Sequence, residues 1–229
     1  MQKIGFAIPI CEQDKDYLQI ILPEIKRMGG DVSWLANDCS EETIKQLKDF
    51  ERTVSIDIKD GSFNNCMRNY PMEALKKKGY EWCIQMDMDE TWESDAPGKL
   101  RRILKDQKLI QVRMGHVWEK NREKYITTDW ASIRDRIYNL KYEWYYMDRV
   151  VAGAKTLDDK YEPTLENIWM IHWGYSTQEK RLKNKARWDA NHGHSAGKNP
   201  YGQWKTITQE GYEPKLIHFD DFLKELNVL

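Results

Sequence analysis

No stretch of this chain stays apolar for the ~20 residues that a membrane-spanning helix needs, so a span of ordinary length is excluded. Neither sign of charge is in excess: 36 Lys and Arg face 37 Asp and Glu, a net charge of -1. That balance excludes a protein that coats nucleic acid or membrane through bulk charge. Cysteine is sparse, and Cys11, Cys39, Cys66 and Cys83 nowhere form C-x-x-C, which argues against a zinc ribbon or a redox motif. Scattered thiols without a signal sequence predict a reducing, cytoplasmic setting. Internal repeats, low-complexity tracts and linkers are missing too, and 229 residues suit one medium domain. Aromatics, by contrast, are abundant. Ten Trp and twelve Tyr exceed what a core of this size uses, and their apolar bodies with polar tips suit half-wet binding clefts.

The stretch around which the chain is organised is Tyr80–Glu93, YEWCIQMDMDETWE. Its apolar run Trp82-Cys83-Ile84 predicts a buried strand that ends in Asp87, Asp89 and Glu90. Side chains alternate along a strand, so an extended backbone puts Asp87 and Asp89 on one face. In open α/β sheets ligands sit outside the carboxyl ends of the strands. Two hard oxygen ligands there suit Mg²⁺ or Mn²⁺, ions usually shared with substrate phosphates. The plainer alternative is an acidic turn after a core strand.

Strand and helix alternate over residues 1–105. Lys3–Ile10 reads as a first buried strand closed by Pro9, followed by a polar loop Cys11–Asp16 and a helix Tyr17–Met28 that Gly29-Gly30 stops. Val32–Ala36 and Thr53–Ile58 read as strands, and Ser40 caps a helix with acids in its first turn. Cys66–Lys78 is mostly helical; Pro71 either starts that helix, with Asn69 as cap, or kinks it. Ser94-Asp95-Ala96-Pro97 caps a helix through Leu104. This order predicts an α/β fold, a mostly parallel sheet flanked by helices. Beyond residue 105 the regularity weakens. Leu109–Met114 and Asn167–Trp173 read as strands, and 117–146 resists parsing. Ser176 with Glu179 forms a capping box for a helix to about Asn191, and His192–Gly202 has loop composition. On that helix Lys180, Lys183 and Arg187 share one face, while Leu182, Ala186 and Ala190 line another.

These elements resemble a GT-A-fold (Rossmann-like) glycosyltransferase, close to glycosyltransferase family 2. The resemblance rests on Ala7-Ile8-Pro9-Ile10 at the first strand end, Asp38 after the second, the Arg68-Asn69 pair before a helix, and Asp87-Met88-Asp89. It continues through Arg136-Ile137-Tyr138, like the family's R-hydrophobic-aromatic element of the acceptor region. Ile171-His172-Trp173-Gly174-Tyr175 with Lys183, Lys185 and Arg187 is similar to an I-x-H-x-G-Y…K-x-x-R segment of one bacterial subgroup. The likeness implies one domain over 1–229, a nucleotide-sugar-binding half (1–105) and an acceptor half (106–229). It implies Pro9, Asp38, Arg68, Asp87, Lys183 and Arg187 at the donor, a UDP-sugar, and Asp87, Asp89 and His172 at Mn²⁺ or Mg²⁺. The acceptor hydroxyl would belong to a glycan, a protein or a hydroxylated nucleobase in DNA. One departure stands out: where relatives carry an H-E dyad this chain has Val151-Ala152, so the general base falls to the nearest acid, Asp148.

The chemistry agrees with that resemblance. Glycosyl transfer from a nucleoside diphosphate leaves negative charge on the departing phosphate, which a divalent ion or a basic helix N-terminus stabilises. Two other readings compete. Asp87-Met88-Asp89-Glu90-Thr91 matches the D-x-D-x-T motif of haloacid dehalogenase-type phosphatases, with Leu216–Asp221 as a distal acidic strand, but three strands precede it. A nucleic-acid-binding module would use the segment 180–205; seven Lys and Arg oppose two acids across 176–206. His172 could equally be a hydrogen-bonded core histidine, and His192 and His194 are read as loop residues. Half of Tyr138–Tyr146 is expected to be packing, the rest a stacking surface for the acceptor.

Overall fold

A computed structural model describes residues 2–61, 65–105, 107–127, 133–146, 154–156, 163–174, 176–183, 186 and 216–228. Its first half follows the alternation: β1 (Ile4–Cys11), α1 (Leu18–Met28), β2 (Asp31–Asn37), α2 (Glu41–Asp49), β3 (Thr53–Lys59), α3 (Asn69–Lys77), β4 (Trp82–Gln85), β5 (Glu90–Trp92) and α4 (Ala96–Ile103). The second half adds β6 (Leu109–Lys120), β7 (Glu123–Thr127), β8 (Ile133–Asn139), β9 (Trp144–Tyr145), β10 (Lys155–Thr156), β11 (Thr164–His172), β12 (Ile217–His218) and α5 (Phe219–Val228). Strands β3, β2, β1 and β4 lie side by side and parallel. The sheet then becomes mixed. It runs on through β8, β6, β7 and β12, all antiparallel, while β11 lies parallel to β6 and antiparallel to β5. One sheet therefore joins both halves of the chain.

The parallel half is apolar on both faces because both are covered. Phe6, Ile8 and Ile10 of β1 pack with Ile21 and Ile25 of α1 and with Trp34, whereas Ala7 faces Met72 and Leu75 of α3. Gly5 lets α3 approach closely, since a Cβ there would stand 2.3 Å from Leu75 Cδ2. Pro9 lies within β1, paired with Leu35, not in a loop after it. Residues two apart point their backbone groups to the same side. Pro9 therefore turns its missing N–H toward β4, whose pairing with β1 ends at Ala7 opposite Gln85. The loss of a donor costs little there.

Several boundaries depart from the sequence pattern. Glu12–Tyr17 forms a 3-10 turn, and α1 carries Pro23 in its interior. A 3-10 turn Asn65–Arg68 leads into α3, so the helix starts at Asn69, with Arg68 at the cap position and no side-chain cap bond. Pro71 thus sits in its first turn, where a missing N–H is harmless. Strand β6 outruns its expected end by six residues because it forms a hairpin with β7. The turn residues Asn121 and Arg122 take left-handed φ values of 53° and 67°, as a two-residue hairpin turn requires. Ser40 caps α2 as expected, its Oγ accepting from Thr43 N at 3.3 Å. No helix among the described residues is long and apolar enough to cross a membrane.

Candidate active site

Strand β4 stops at Gln85 and the chain turns at Met88-Asp89. The two aspartates therefore do not share a strand face; the turn sends them to different partners. Met88 fills the apolar interior beneath. Asp87 Oδ1 accepts from Arg68 Nη2 at 2.8 Å, and its Oδ2 lies 3.5 Å from Arg136 Nη2. The same Nη2 of Arg136 donates to Glu90 Oε1. Glu90 closes the turn by accepting Asp87 N–H on Oε2 at 2.8 Å. Arg136 and Glu90 are both buried, so two carboxylates share one desolvated guanidinium.

That sharing is unequal. Burial alone would raise the Asp87 carboxyl, but Arg68 and Arg136 together hold it well below the usual carboxylate range. Glu90 lacks the second cation: burial pushes it up, Arg136 opposes, and Asp87 adds repulsion, leaving it at about 7. Asp87 keeps the negative charge and Glu90 holds a proton most readily.

Asp89 turns toward β11. Its Oδ2 lies 3.4 Å from His172 Nε2, and its carbonyl accepts Trp173 N–H at 2.7 Å. Trp173 Nε1 donates to Thr91 at 2.9 Å, which ties β5 to the end of β11. Burial favours neutral His172, yet Asp89, with help from Glu90 and Asp87, outweighs it and raises the imidazole above its ordinary value. Behind His172 stands a second buried histidine, His116, with Nδ1 3.1 Å from His172 Nδ1. Tyr17 covers Asp89 from the 3-10 turn; burial first and Asp89 next push its hydroxyl to about 12. Lys180 lies over the Tyr17 ring at 5.3 Å.

A second group of polar side chains lies at the ends of β1 and β2. Asp38 adopts a left-handed φ of 49° and bridges the loops. It accepts from Gly61 N at 2.8 Å and from Asn37 Nδ2 at 3.1 Å. Glu12 accepts Ser40 N–H and the Thr43 hydroxyl, at 2.9 and 2.8 Å. On the other flank, Asn69 grips the backbone of Tyr146 in both directions, at 3.2 and 2.6 Å. Tyr146 and Tyr138 are core residues, joined to each other at 3.2 Å, and Tyr146 donates to Gln85. They pack and do not offer a stacking surface.

Of the residues singled out in sequence, Asp38, Arg68, Asp87, Asp89 and His172 gather at the carboxyl ends of the parallel strands. Pro9 lies two residues short of that edge. Lys183 is exposed on the helical stretch 178–183. That stretch is capped by Thr177, whose Oγ1 accepts Lys180 N–H at 3.1 Å, while Ser176 Oγ is buried without a hydrogen-bond partner among the described residues. Leu182 and Ala186 are exposed and Arg181 is buried against the Trp118 ring at 3.6 Å, so the helix packs through its arginine. Asp148, Val151-Ala152, Lys185, Arg187, His192 and His194 lie outside the described residues. Sequence reasoning grouped Glu90 with the two aspartates but gave it no role, assigned Arg136 to the acceptor region, and missed His116 and Tyr17. Only a strand pairing map could have found them.

The phosphatase pattern does not assemble. β12, which precedes Asp220 and Asp221, is separated from β4 by β7, β6 and β8, and both acids are exposed on α5. Among the described residues no group of three or more His, Cys, Asp and Glu is arranged to hold a metal. Asp87 has turned to its arginines, but Asp89 Oδ2 and His172 Nε2 at 3.4 Å fit neighbouring positions on one small divalent ion. Two such ligands at ~2.1 Å subtend about 3 Å. The protein offers about a third of an octahedral coordination sphere, which suits an ion completed by phosphate oxygens and water.

By sequence the chain matches no family model and no curated protein. It is similar in structure to S. aureus TarS 1-349, with a TM-score of 0.51 and 10% identity over 90% of this chain and 70% of that one. The same TarS segment in complex with UDP superposes at TM-score 0.48 and 10% identity, over 91% of this chain and 70% of that one. Its complex with UDP-GlcNAc gives 0.47 and 11%, over 91% and 71%. At the identity of the first of these the likeness is one of fold: the chain is GT-A-like, a single-domain mixed sheet flanked by helices.

Proposed function

We propose that this chain is a glycosyltransferase that moves a sugar from a nucleoside diphosphate sugar, a UDP-sugar, to an acceptor hydroxyl. The observation that carries this reading is the divergence of Asp87 and Asp89 at the end of β4. One acid anchors two guanidinium groups, and the other meets a histidine. Arg68 and Arg136 bring positive charge to the edge where a diphosphate would lie, held in place by Asp87 and Glu90. Asp89 and His172 would hold Mn²⁺ or Mg²⁺, which as a Lewis acid would stabilise the leaving phosphate. The fold supports this, being shared with TarS, which has been crystallised with UDP and UDP-GlcNAc. Asp38 and the Cys11–Ser40 loops would border the base. Asp148, two residues beyond the anchored Tyr146, is the proposed base for a glycan, protein or nucleobase hydroxyl.

The test is a thermal-shift screen of nucleotide sugars with and without Mn²⁺. A ligand that binds only the folded chain raises the melting temperature by mass action. A UDP-sugar should shift it, and more so with Mn²⁺. A complete absence of shift across UDP-, GDP-, CMP- and dTDP-sugars would overturn the reading.

A further inference from the structure

We propose that His116 is a positioning residue that holds His172 Nδ1 by a hydrogen bond in either tautomer, and so keeps Nε2 aimed at Asp89 and ready to take a divalent cation. The inference rests on the metal reading given above and deepens it. Three strands carry the geometry. His172 of β11 is the register partner of His116 in β6 on one side and of Glu90 in β5 on the other. The imidazoles meet edge to face, with centroids 5.0 Å apart and planes at 79°. His116 is 2% exposed, so bulk water does not supply that contact.

The two Nδ1 atoms stand 3.1 Å apart, and a hydrogen bond between them needs one proton. Two lone pairs would repel, and two protons would clash. With both rings neutral, the tautomers are therefore linked. Without a cation, His172 donates Nε2–H to Asp89 and accepts at Nδ1 from His116. A cation on Nε2 requires that nitrogen's lone pair, so the His172 proton must lie on Nδ1 and be donated to His116 Nδ1. His116 serves both arrangements by moving its own proton between its nitrogens. No proton is gained or lost by the pair. A ligand histidine whose far nitrogen is held by a partner is more basic and better oriented, and loss of such a partner weakens metal binding 10–100-fold.

Two substitutions separate this from plain packing. Asn is able to put either its amide NH₂ or its carbonyl oxygen at the Nδ1 position by rotating, so His116→Asn should serve both arrangements. His116→Phe fills the space but offers neither. Mn²⁺ titration followed by electron paramagnetic resonance, in saturating UDP, should show His116→Phe weakened 10–100-fold and His116→Asn within a few-fold of the parent. Melting temperatures of both variants report the packing contribution separately. Ring ¹⁵N spectra at pH 9 without metal should show His172 as the Nε2–H tautomer in all three proteins, with its Nδ1 resonance moved upfield by a hydrogen bond in the parent and in His116→Asn but not in His116→Phe. Parent-like Mn²⁺ affinity or an unchanged His172 spectrum in His116→Phe overturns the proposal. Should the parent bind no Mn²⁺ with UDP, the metal reading fails, and the ring spectra alone then decide whether His116 holds His172 Nδ1.

Discussion

Arg68 donates to Asp87 Oδ1 at 2.8 Å, so the first acid of the D-x-D reaches the site already neutralised by a side chain from the start of α3. The two aspartates are then predicted to differ when mutated. Asp87→Asn leaves Arg68 and Arg136 short of a counter-charge. Because Asp87 is 35% exposed, the cost is discounted to about 1 kcal/mol, or about 2–4 °C in melting temperature. Asp89→Asn removes the charge of the proposed metal ligand at the turn without opening a cavity. Its melting temperature should move by less than ~1 °C, while transfer falls at least ~100-fold. Near-normal turnover in Asp89→Asn would remove Asp89 from the metal site.

Asn69 joins α3 to Tyr146 through two hydrogen bonds, each worth about 1 kcal/mol. Asn69→Ala should therefore lower the melting temperature by about 4–8 °C. If Asp148 is the base, the same variant should lower kcat more than it raises the donor KM, because the chain leading to Asp148 loses its anchor. Steady-state kinetics with the donor varied reads that split.

How much of this was legible depends on distance along the chain. Strands β1, β2 and β4 announced themselves as apolar runs because both of their faces are covered, the edge strand β3 by its alternation, and Ser40 announced α2 because a cap is a local bond. The gathering of Asp38, Arg68, Asp87, Asp89 and His172 followed from parallel topology and the family resemblance. What sequence could not give was direction. Alternation put Asp87 and Asp89 on one face, but β4 ends at Gln85 when its pairing with β1 ends, and the turn separates them. Arg136 meets Glu90 because β8 lies beside β4, and His116 meets His172 because β6 lies beside β11; these are pairings between segments 46 and 56 residues apart. Likewise Arg181 is buried and Leu182 exposed because Trp118, far upstream, offers its ring to the guanidinium.

Glu12 supplies a pH test away from the aspartates. Ser40 N–H first, then the Thr43 hydroxyl, hold its carboxyl down to about 2, from an ordinary 4.5. A depressed carboxyl stabilises the fold above the unfolded value and loses that contribution as pH falls through the folded one. Glu12→Gln should thus melt lower than the parent at pH 7. The gap should narrow below about pH 4.5 and close near pH 2. A gap independent of pH across that range would mean that the charge of Glu12 does not secure the β1 and β2 loops.

Calorimetry of UDP, GDP and CMP, each with Mn²⁺ or with a chelator, tests the donor end of the site. Asp89 Oδ2 and His172 Nε2 leave most of an ion's coordination to other oxygens, so the ion and a diphosphate should bind each other's half-site. UDP affinity is then expected to fall at least ~10-fold in chelator, a loss of about 1.4 kcal/mol. CMP, with one phosphate, should gain less from Mn²⁺ than UDP does, because it spans the ion and the Arg68 and Arg136 cations less well. GDP carries the same diphosphate and should keep the metal dependence while binding more weakly, if the loops at Cys11 and Asp38 are sized for a pyrimidine. Equal binding of UDP in chelator would remove the metal bridge. A preference for GDP with the Mn²⁺ dependence intact would leave the bridge standing and overturn only the uridine assignment.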